Sequence, residues 1–287
     1  MPPELDAYEL LVRGGALWLG QAAGHRTWLQ AGAIAPDKLL HPGCCSRADV
    51  IEQMMETAGR HAETLGVGVM ALHAKGLTWV LARLHVKVTN VPAAGQSVHI
   101  ATWPSGRHRL FAVREFRLAD DAGSEILRAT SAWALMNMET RRPSRLDPHL
   151  PVFSRHPGRM VEDDFPPLPP VQAGDSRAAY RARAADIDIN DHVNNTVYLD
   201  WALRAVPAAA RGRKPLALEV AFLGEARLGD EVVCLSEGGS AGDGGIVRQS
   251  LQDAAGGREL TRLRTRWKLT PFNPPLLRRE GAGGELL

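Results

Sequence analysis

The sequence predicts an α+β chain made of two similar halves, each an antiparallel sheet curled around one long helix. Three observations carry this reading. Each half holds one amphipathic helical stretch followed by four strand-like segments. A proline-dense stretch, with seven prolines between Asp147 and Ser176, separates them. The 287 residues are enough for two units of ordinary size, each with its own core.

In the first half, Arg47 to Leu65 places Val50, Ile51, Met54, Met55 and Ala58 on one helical face. Ser46 or Asp49 suits its start and Gly66 its stop. Strands are predicted at Thr78–Val88, Ser97–Trp103, Leu110–Leu118 and Glu125–Met138, with turns at Pro92 to Gly95, Pro104 to Gly106 and Asp120 to Gly123. The second half repeats the order: a strand at Ala179–Ala184, a helix from about His192 to Ala208, then strands at Leu216–Phe222, Glu231–Glu237, Ile246–Gln252 and Leu260–Thr270. One long helix followed by an antiparallel meander is the plan of a hotdog fold. Two in tandem form a covalent version of the dimer that single hotdogs make. The expected boundaries are residues 1–146 for the first unit, 147–176 for an extended connector, 177–273 for the second unit and 274–287 for a frayed tail. Leu17 to Gly43 is too long for a simple loop and fits no element of this plan.

Composition narrows the function classes. A formal net charge of +2 is far from the basic balance of a dedicated nucleic-acid binder. The three cysteines, with Cys44 and Cys45 adjacent, form no disulfide framework and suit a reducing cytoplasm. No CxxC or HxxxH spacing supports a metal site. The amino-terminal residues lack a basic-then-apolar pattern and no run of about 18 apolar residues occurs, so neither a signal peptide nor a membrane span is expected. In Leu263 to Leu269 apolar residues alternate with cations, which puts Arg262, Arg264, Arg266 and Lys268 on one face. That face reads either as solvated sheet or as a docking surface for an acidic partner.

The most informative stretch is Asp186-Ile-Asp-Ile-Asn-Asp-His-Val-Asn-Asn195. It gathers carboxylates, carboxamides and one imidazole where an extended segment turns into a helix. Such a set can do acid–base chemistry beside backbone N–H groups able to bind an oxyanion. Asp and Asn are equally good helix caps and turn formers, and the motif alone leaves both readings open.

Further blocks add to this motif. Met55-Glu-Thr-Ala-Gly-Arg-His61, Leu77-Thr-Trp79, Thr102-Trp-Pro-Ser-Gly106, Arg114-Glu-Phe, Ser131-Ala-Trp133 and Glu139-Thr-Arg-Arg-Pro143 stand in this order before the Asp186–Asn195 block, and Tyr198 and Trp201 follow it. In these blocks, over residues 50 to 270, the chain resembles the acyl-acyl-carrier-protein thioesterase family of plants and bacteria. The resemblance implies tandem hotdogs that hydrolyse the thioester between a fatty acyl chain and acyl carrier protein, with no metal or organic cofactor. It places the catalytic Asp, Asn and His on Asp188, Asn190 and His192, and the catalytic Glu on Glu225. Plant members carry Cys directly after that Glu, whereas this chain has Ala226, which removes a thiol nucleophile at that position.

On that basis Glu225 is expected to act as general base on water, and His192 to polarise the carbonyl or hold the water. Asp188 orients the imidazole or itself attacks, and Asn190 positions water or carbonyl. The N–H groups near Val193 and Asn194 are the expected oxyanion donors. Met54, Met55, Ala58, Trp79 and Leu81 are expected to bound the acyl pocket, although such residues are core far more often than pocket wall. Two alternatives share the fold. One is a hydratase or dehydratase using D-x-N-x-x-H, which has one more residue between Asn and His than this chain. The other is a non-catalytic acyl-thioester-binding protein. The first half has no counterpart of Asp188 to His192, so one site per chain is expected. The sequence leaves oligomeric state open, a homodimer included.

Overall fold

The computed structural model describes residues 16–22, 25–33, 39–41, 44–45, 47–92, 97–150, 159–171 and 174–271. Strands β1 (Ala16–Ala22) and β2 (His25–Ala33) form an opening hairpin, followed by the short pair β3 (Leu39–His41) and β4 (Cys44–Cys45). These elements fill the segment that had no place in the sequence reading. Helix α1 (Arg47–Thr64), the short α2 (Val69–His73), β5 (Leu77–Val88), β6 (Ser97–His108), β7 (Phe111–Ala119) and β8 (Glu125–Asn137) complete the first half. The second half comprises β9 (Ser176–Arg181), α3 (Asn195–Arg204), β10 (Arg213–Phe222), β11 (Glu231–Gly238), β12 (Ile246–Asp253) and β13 (Glu259–Pro271).

Eleven strands make one sheet, in the order β1-β2-β6-β7-β8-β5-β10-β13-β12-β11-β9. Read outward from its middle, each half runs through equivalent strands: β5-β8-β7-β6-β2 on one side and β10-β13-β12-β11-β9 on the other. The repeat expected from the sequence is therefore a repeat of topology. The halves join through β5 and β10, antiparallel, with His85 opposite Glu219 at the centre of the paired stretch.

Both helices bury one stripe against this sheet. On α1, Val50, Ile51, Met54 and Ala58 are buried while Glu52, Glu56 and Arg60 face outward, the spacing of an amphipathic helix. Gly66 follows in the left-handed region, φ 71°, as a helix stop prefers. Ser46 lies outside the described residues. On α3, Tyr198, Leu199, Trp201 and Ala202 are buried, with Tyr180 of β9 stacked on Trp201 at 5.3 Å between ring centroids. The largest core cluster holds residues of both helices and both half-sheets. The expectation of a separate core for each half gives way to a shared one.

The connector is packed against the sheet over its described residues 159–171. Val161, Phe165 and Leu168 are buried, and Met160 N–H donates to Glu115 Oε2 at 2.9 Å. Val161 N–H donates to Thr130 Oγ1 at 3.0 Å, Asp163 lies 2.8 Å from His85 Nδ1, and Arg262 donates to the Leu168 carbonyl at 2.6 Å. The row of cations on β13 is thereby partly consumed. Arg262 also binds Glu259, and Arg264 binds Glu219 with two nitrogens, while Arg266 and Lys268 stay exposed. The tail 274–287 lies outside the described residues.

Glu115, fully buried beneath the connector, also accepts from Ser105 and Thr130. Burial still raises its carboxyl above the ordinary range, against the pull of those hydrogen bonds and of the Arg159 charge. The folded chain therefore keeps this proton at a pH where the unfolded chain has lost it. Stability should fall as pH rises from the ordinary glutamate pKa through the raised native value, by up to about 1.4 kcal/mol per pH unit. Glu115→Gln should flatten that slope in urea unfolding across a pH series, and an unchanged slope would show that another group causes it.

Candidate active site

The second-half motif folds as a tight loop held by its own backbone. Ile187 and Val193 form an antiparallel bridge, Asp188 N–H donates to His192 O at 2.8 Å, and Asp191 N–H donates to Asp188 O at 3.1 Å. Asp191 takes φ 61°, a left-handed conformation that Asp tolerates better than most residues. Asp188 Oδ1 accepts from the Asn190 N–H at 2.8 Å and, more weakly, from the His192 N–H at 3.4 Å. Its Oδ2 has no partner among the described residues. The short side chain of aspartate thus ties the loop with one oxygen.

This loop postpones the helix. Helix α3 starts at Asn195, with Asn194 as N-cap accepting from Thr196 N–H at 3.0 Å, whereas the spacing of apolar residues predicts a start at His192. The expected oxyanion donors are corrected by the same geometry. Val193 N–H donates to Ala226 O at 2.9 Å and Asn194 N–H to Asp186 O at 2.8 Å, so neither can bind a ligand oxygen. The first-turn N–H left without an acceptor among the described residues is that of Asn195.

Glu225 follows β10 and is positioned through its neighbour. Ala226 N–H donates to Tyr198 Oη at 2.7 Å while Ala226 O receives Val193 N–H, so one bond to a side chain and one to the backbone clamp this turn to α3 and the loop before it. Tyr198 is buried, and burial pushes its phenol up to about 12, which keeps it neutral as an acceptor here. The clamp sets Glu225 Oε2 at 3.3 Å from His192 Nε2. The same oxygen accepts a hydrogen bond from Arg141 of the first half, and Arg258 donates to the Glu225 main-chain carbonyl at 3.0 Å. Oε1 has no partner among the described residues.

A cavity of about 740 Å³ joins this loop to the first half. Asp188, Asn190 and Asn195 line one part of it; Met55, Ala58 and Gly59 of α1 and Trp79 and Leu81 of β5 line another. His192 and Glu225 stand next to each other but are not among the lining residues. Met54, an expected wall residue, is fully buried in the core one position along the helix from the wall and does not line the cavity. The wall is not wholly apolar. Arg114 lines it too, donating to Thr102 Oγ1 at 3.2 Å and lying 3.1 Å from His61 Nδ1, and burial draws its guanidinium down to about 10.

Sequence reasoning did not single out Arg141 or Asn195 as site residues. Arg141 stands in a quoted block, Glu139–Pro143, but its partner lies 84 residues away and no local pattern marks the contact. Among the described residues, His85, Asp163 and Glu219 form a cluster with metal-ligand chemistry. Asp163 faces His85 and Glu219 is held by Arg264, so these groups fasten the connector and the sheet.

The chain is similar to plant thioester hydrolases. It is 29% identical over 239 residues to an acyl-[acyl-carrier-protein] hydrolase of Cuphea viscosissima, covering 76% of this chain and 57% of that protein. It is 32% identical over 173 residues to an oleoyl-acyl carrier protein thioesterase of Coriandrum sativum, covering 54% of this chain and 47% of that one. The chain thus spans about half the length of the curated relatives it matches. Among solved structures, the 12:0-ACP thioesterase of Umbellularia californica superposes with a TM-score of 0.72 at 26% identity, over 84% of this chain and 94% of that one. An acyl-ACP thioesterase of Bacteroides thetaiotaomicron gives 0.73 at 24% identity, over 84% and 98%, and shares the fold. The acyl-ACP thioesterase N-terminal domain matches residues 45–151 and the C-terminal domain residues 171–269, and the chain belongs to the acyl-ACP thioesterase family.

Proposed function

We propose that this chain hydrolyses the thioester of a fatty acyl chain carried on acyl carrier protein, releasing the free fatty acid. The observation that carries the proposal is the cavity: a space of about 740 Å³ lined by α1 and β5 of the first half together with Asp188, Asn190 and Asn195 of the second. An acyl chain lies along the α1 and β5 wall, and the thioester carbonyl sits at the start of α3. There the Asn195 N–H and the helix dipole stabilise the developing oxyanion.

Water attacks the carbonyl carbon and gives its proton to the Glu225–His192 pair. The tetrahedral intermediate then expels the phosphopantetheine thiolate, which takes that proton back. A thioester needs little activation, so placing one water and binding one oxyanion supplies most of the catalysis. Asp188 Oδ2 and the Asn190 carboxamide orient water and carbonyl from the cavity side. The proposed steps call on no cofactor. No helix among the described residues is long and apolar enough to cross a membrane. The proposed setting is the cytoplasm, which the free, buried thiol of Cys234 suits.

The deciding assay is thiol release from a ladder of acyl-carrier-protein and coenzyme A thioesters. Free thiol with stoichiometric fatty acid is expected. Tight binding without thiol release, or hydration of an enoyl thioester with the thioester intact, overturns the proposal.

Glu225→Ala should lower kcat by about two to four orders of magnitude with an unchanged unfolding midpoint, since Glu225 is half-buried on a turn rather than packed in the core. Near-normal turnover would remove Glu225 from the mechanism.

Gly59 offers a test of the wall. It faces the cavity from α1, and a Cβ built there meets nothing within 4 Å. Gly59→Leu should leave the fold intact, even gaining about 1 kcal/mol of helix propensity. It should shift the ladder toward shorter acyl chains, and an unchanged preference would place the chain elsewhere.

A further inference from the structure

Strand registers bring a first-half arginine to the second-half site. Strand β8 pairs antiparallel with β5, Asn137 opposite Leu77, and β10 pairs antiparallel with the other edge of β5, Ala221 opposite Arg83. β8 and β10 are therefore parallel to each other, and both run toward the start of β5: β8 reaches it at Leu77, and the pairing of β10 ends at Arg83. The turn after β8 and the turn after β10 emerge side by side, one carrying Arg141 and the other Glu225.

The turn that presents Arg141 is tightly built. Asn137 Oδ1 accepts from Glu139 N–H at 3.1 Å, Thr140 N–H at 2.8 Å and the Thr140 hydroxyl at 3.0 Å. Arg141 N–H donates to Asn137 O at 3.0 Å, and Asn137 N–H donates to Arg142 O at 2.9 Å. Within this cage Arg141 takes φ 55°, one of four non-glycine residues with positive φ among those described. A second of the four is Asp191, beside His192. Strain of this kind persists only where surrounding bonds enforce it, and it concentrates at functional sites.

We propose that Arg141 is a positioning residue for the hydrolytic reaction. Its guanidinium holds Glu225 Oε2 against His192 Nε2, so that Oε1 alone faces the attacking water. The two side chains are 54% and 35% exposed, so their ion pair is screened and adds little to stability. Geometry is what the contact supplies: a carboxylate anchored through one oxygen presents the other in a fixed direction. The proposal rests on the thioesterase reading with Glu225 in the reaction, and the controls separate the two.

Full-length chains carrying Arg141→Gly, Arg141→Lys, Glu225→Gln and the double change Arg141→Gly with Glu225→Gln would be compared by thiol release and urea unfolding. Arg141→Gly is expected to lose about 100-fold in kcat with KM and unfolding midpoint nearly unchanged. Millimolar guanidinium should restore about tenfold of that loss or more, and Arg141→Lys should fall between. The double variant should be no slower than Glu225→Gln alone. Wild-type kcat in Arg141→Gly, a loss that guanidinium does not relieve, or losses that multiply in the double variant each overturn the positioning role. Wild-type turnover in Glu225→Gln alone instead fails the reading of Glu225 itself, and the role of Arg141 with it.

Discussion

The pairing of β5 with β10 is the constraint on which the rest of the molecule depends. Each half-sheet ends in an edge strand with unpaired N–H and C=O groups, and each such edge is a liability until something covers it. Here each edge covers the other. The register places Leu84 and Val86 beside Val220 and Leu218, all buried in one core with α1 and α3. On the opposite face it places His85 beside Glu219, where Asp163 and Arg264 complete a polar cluster under the connector. A slip of one residue would exchange the two faces, so the alternation of apolar and polar side chains on both strands fixes the junction.

Joining the halves this way makes a site that neither half holds alone. The first half supplies the cavity wall and Arg141; the second supplies Asp188, Asn190, His192, Asn195 and Glu225. Two backbone bonds help decide how these groups stand: Val193 N–H to Ala226 O and Asn194 N–H to Asp186 O consume N–H groups that a helix start at His192 would have left free. Asp188 holds the loop through Oδ1, while Oδ2 and the N–H of Asn195 have no partner among the described residues, and both residues line the cavity.

Much of this was legible in the chain, for reasons that differ by element. Strand β13 was readable because one face alternates Leu263, Thr265 and Trp267 with exposed or paired cations, and α1 because its apolar residues recur with the helical period. The β1–β2 hairpin escaped because Ala, Gly and Gln fill so much of it, residues whose strand preference is weak. The start of α3 was misread by three residues, since periodicity cannot see that Val193 and Asn194 spend their N–H groups on Ala226 and Asp186. The Arg141–Glu225 contact lay beyond any local signal: it exists only through two strand registers. Membership of a family located Glu225, whereas its charged partner needed the fold.

Ala226, the position at which plant members carry Cys, has a packing role in the same turn. Ala226 is buried, its N–H bound to Tyr198 and its carbonyl to Val193, so the residue serves to clamp the turn to α3. Nucleophilic sulfur must be thiolate, and burial opposes that charge. The chain's own Cys234 illustrates the effect: buried on β11 of the same sheet, its thiol is pushed up to about 11. Ala226 offers no thiol, and its side chain lies in the core. Glu225, one residue earlier, is half exposed and meets His192 and Arg141. Alternation along one short segment thus sends the Ala226 side chain inward for packing and leaves the charged side chain of Glu225, one residue earlier, half exposed.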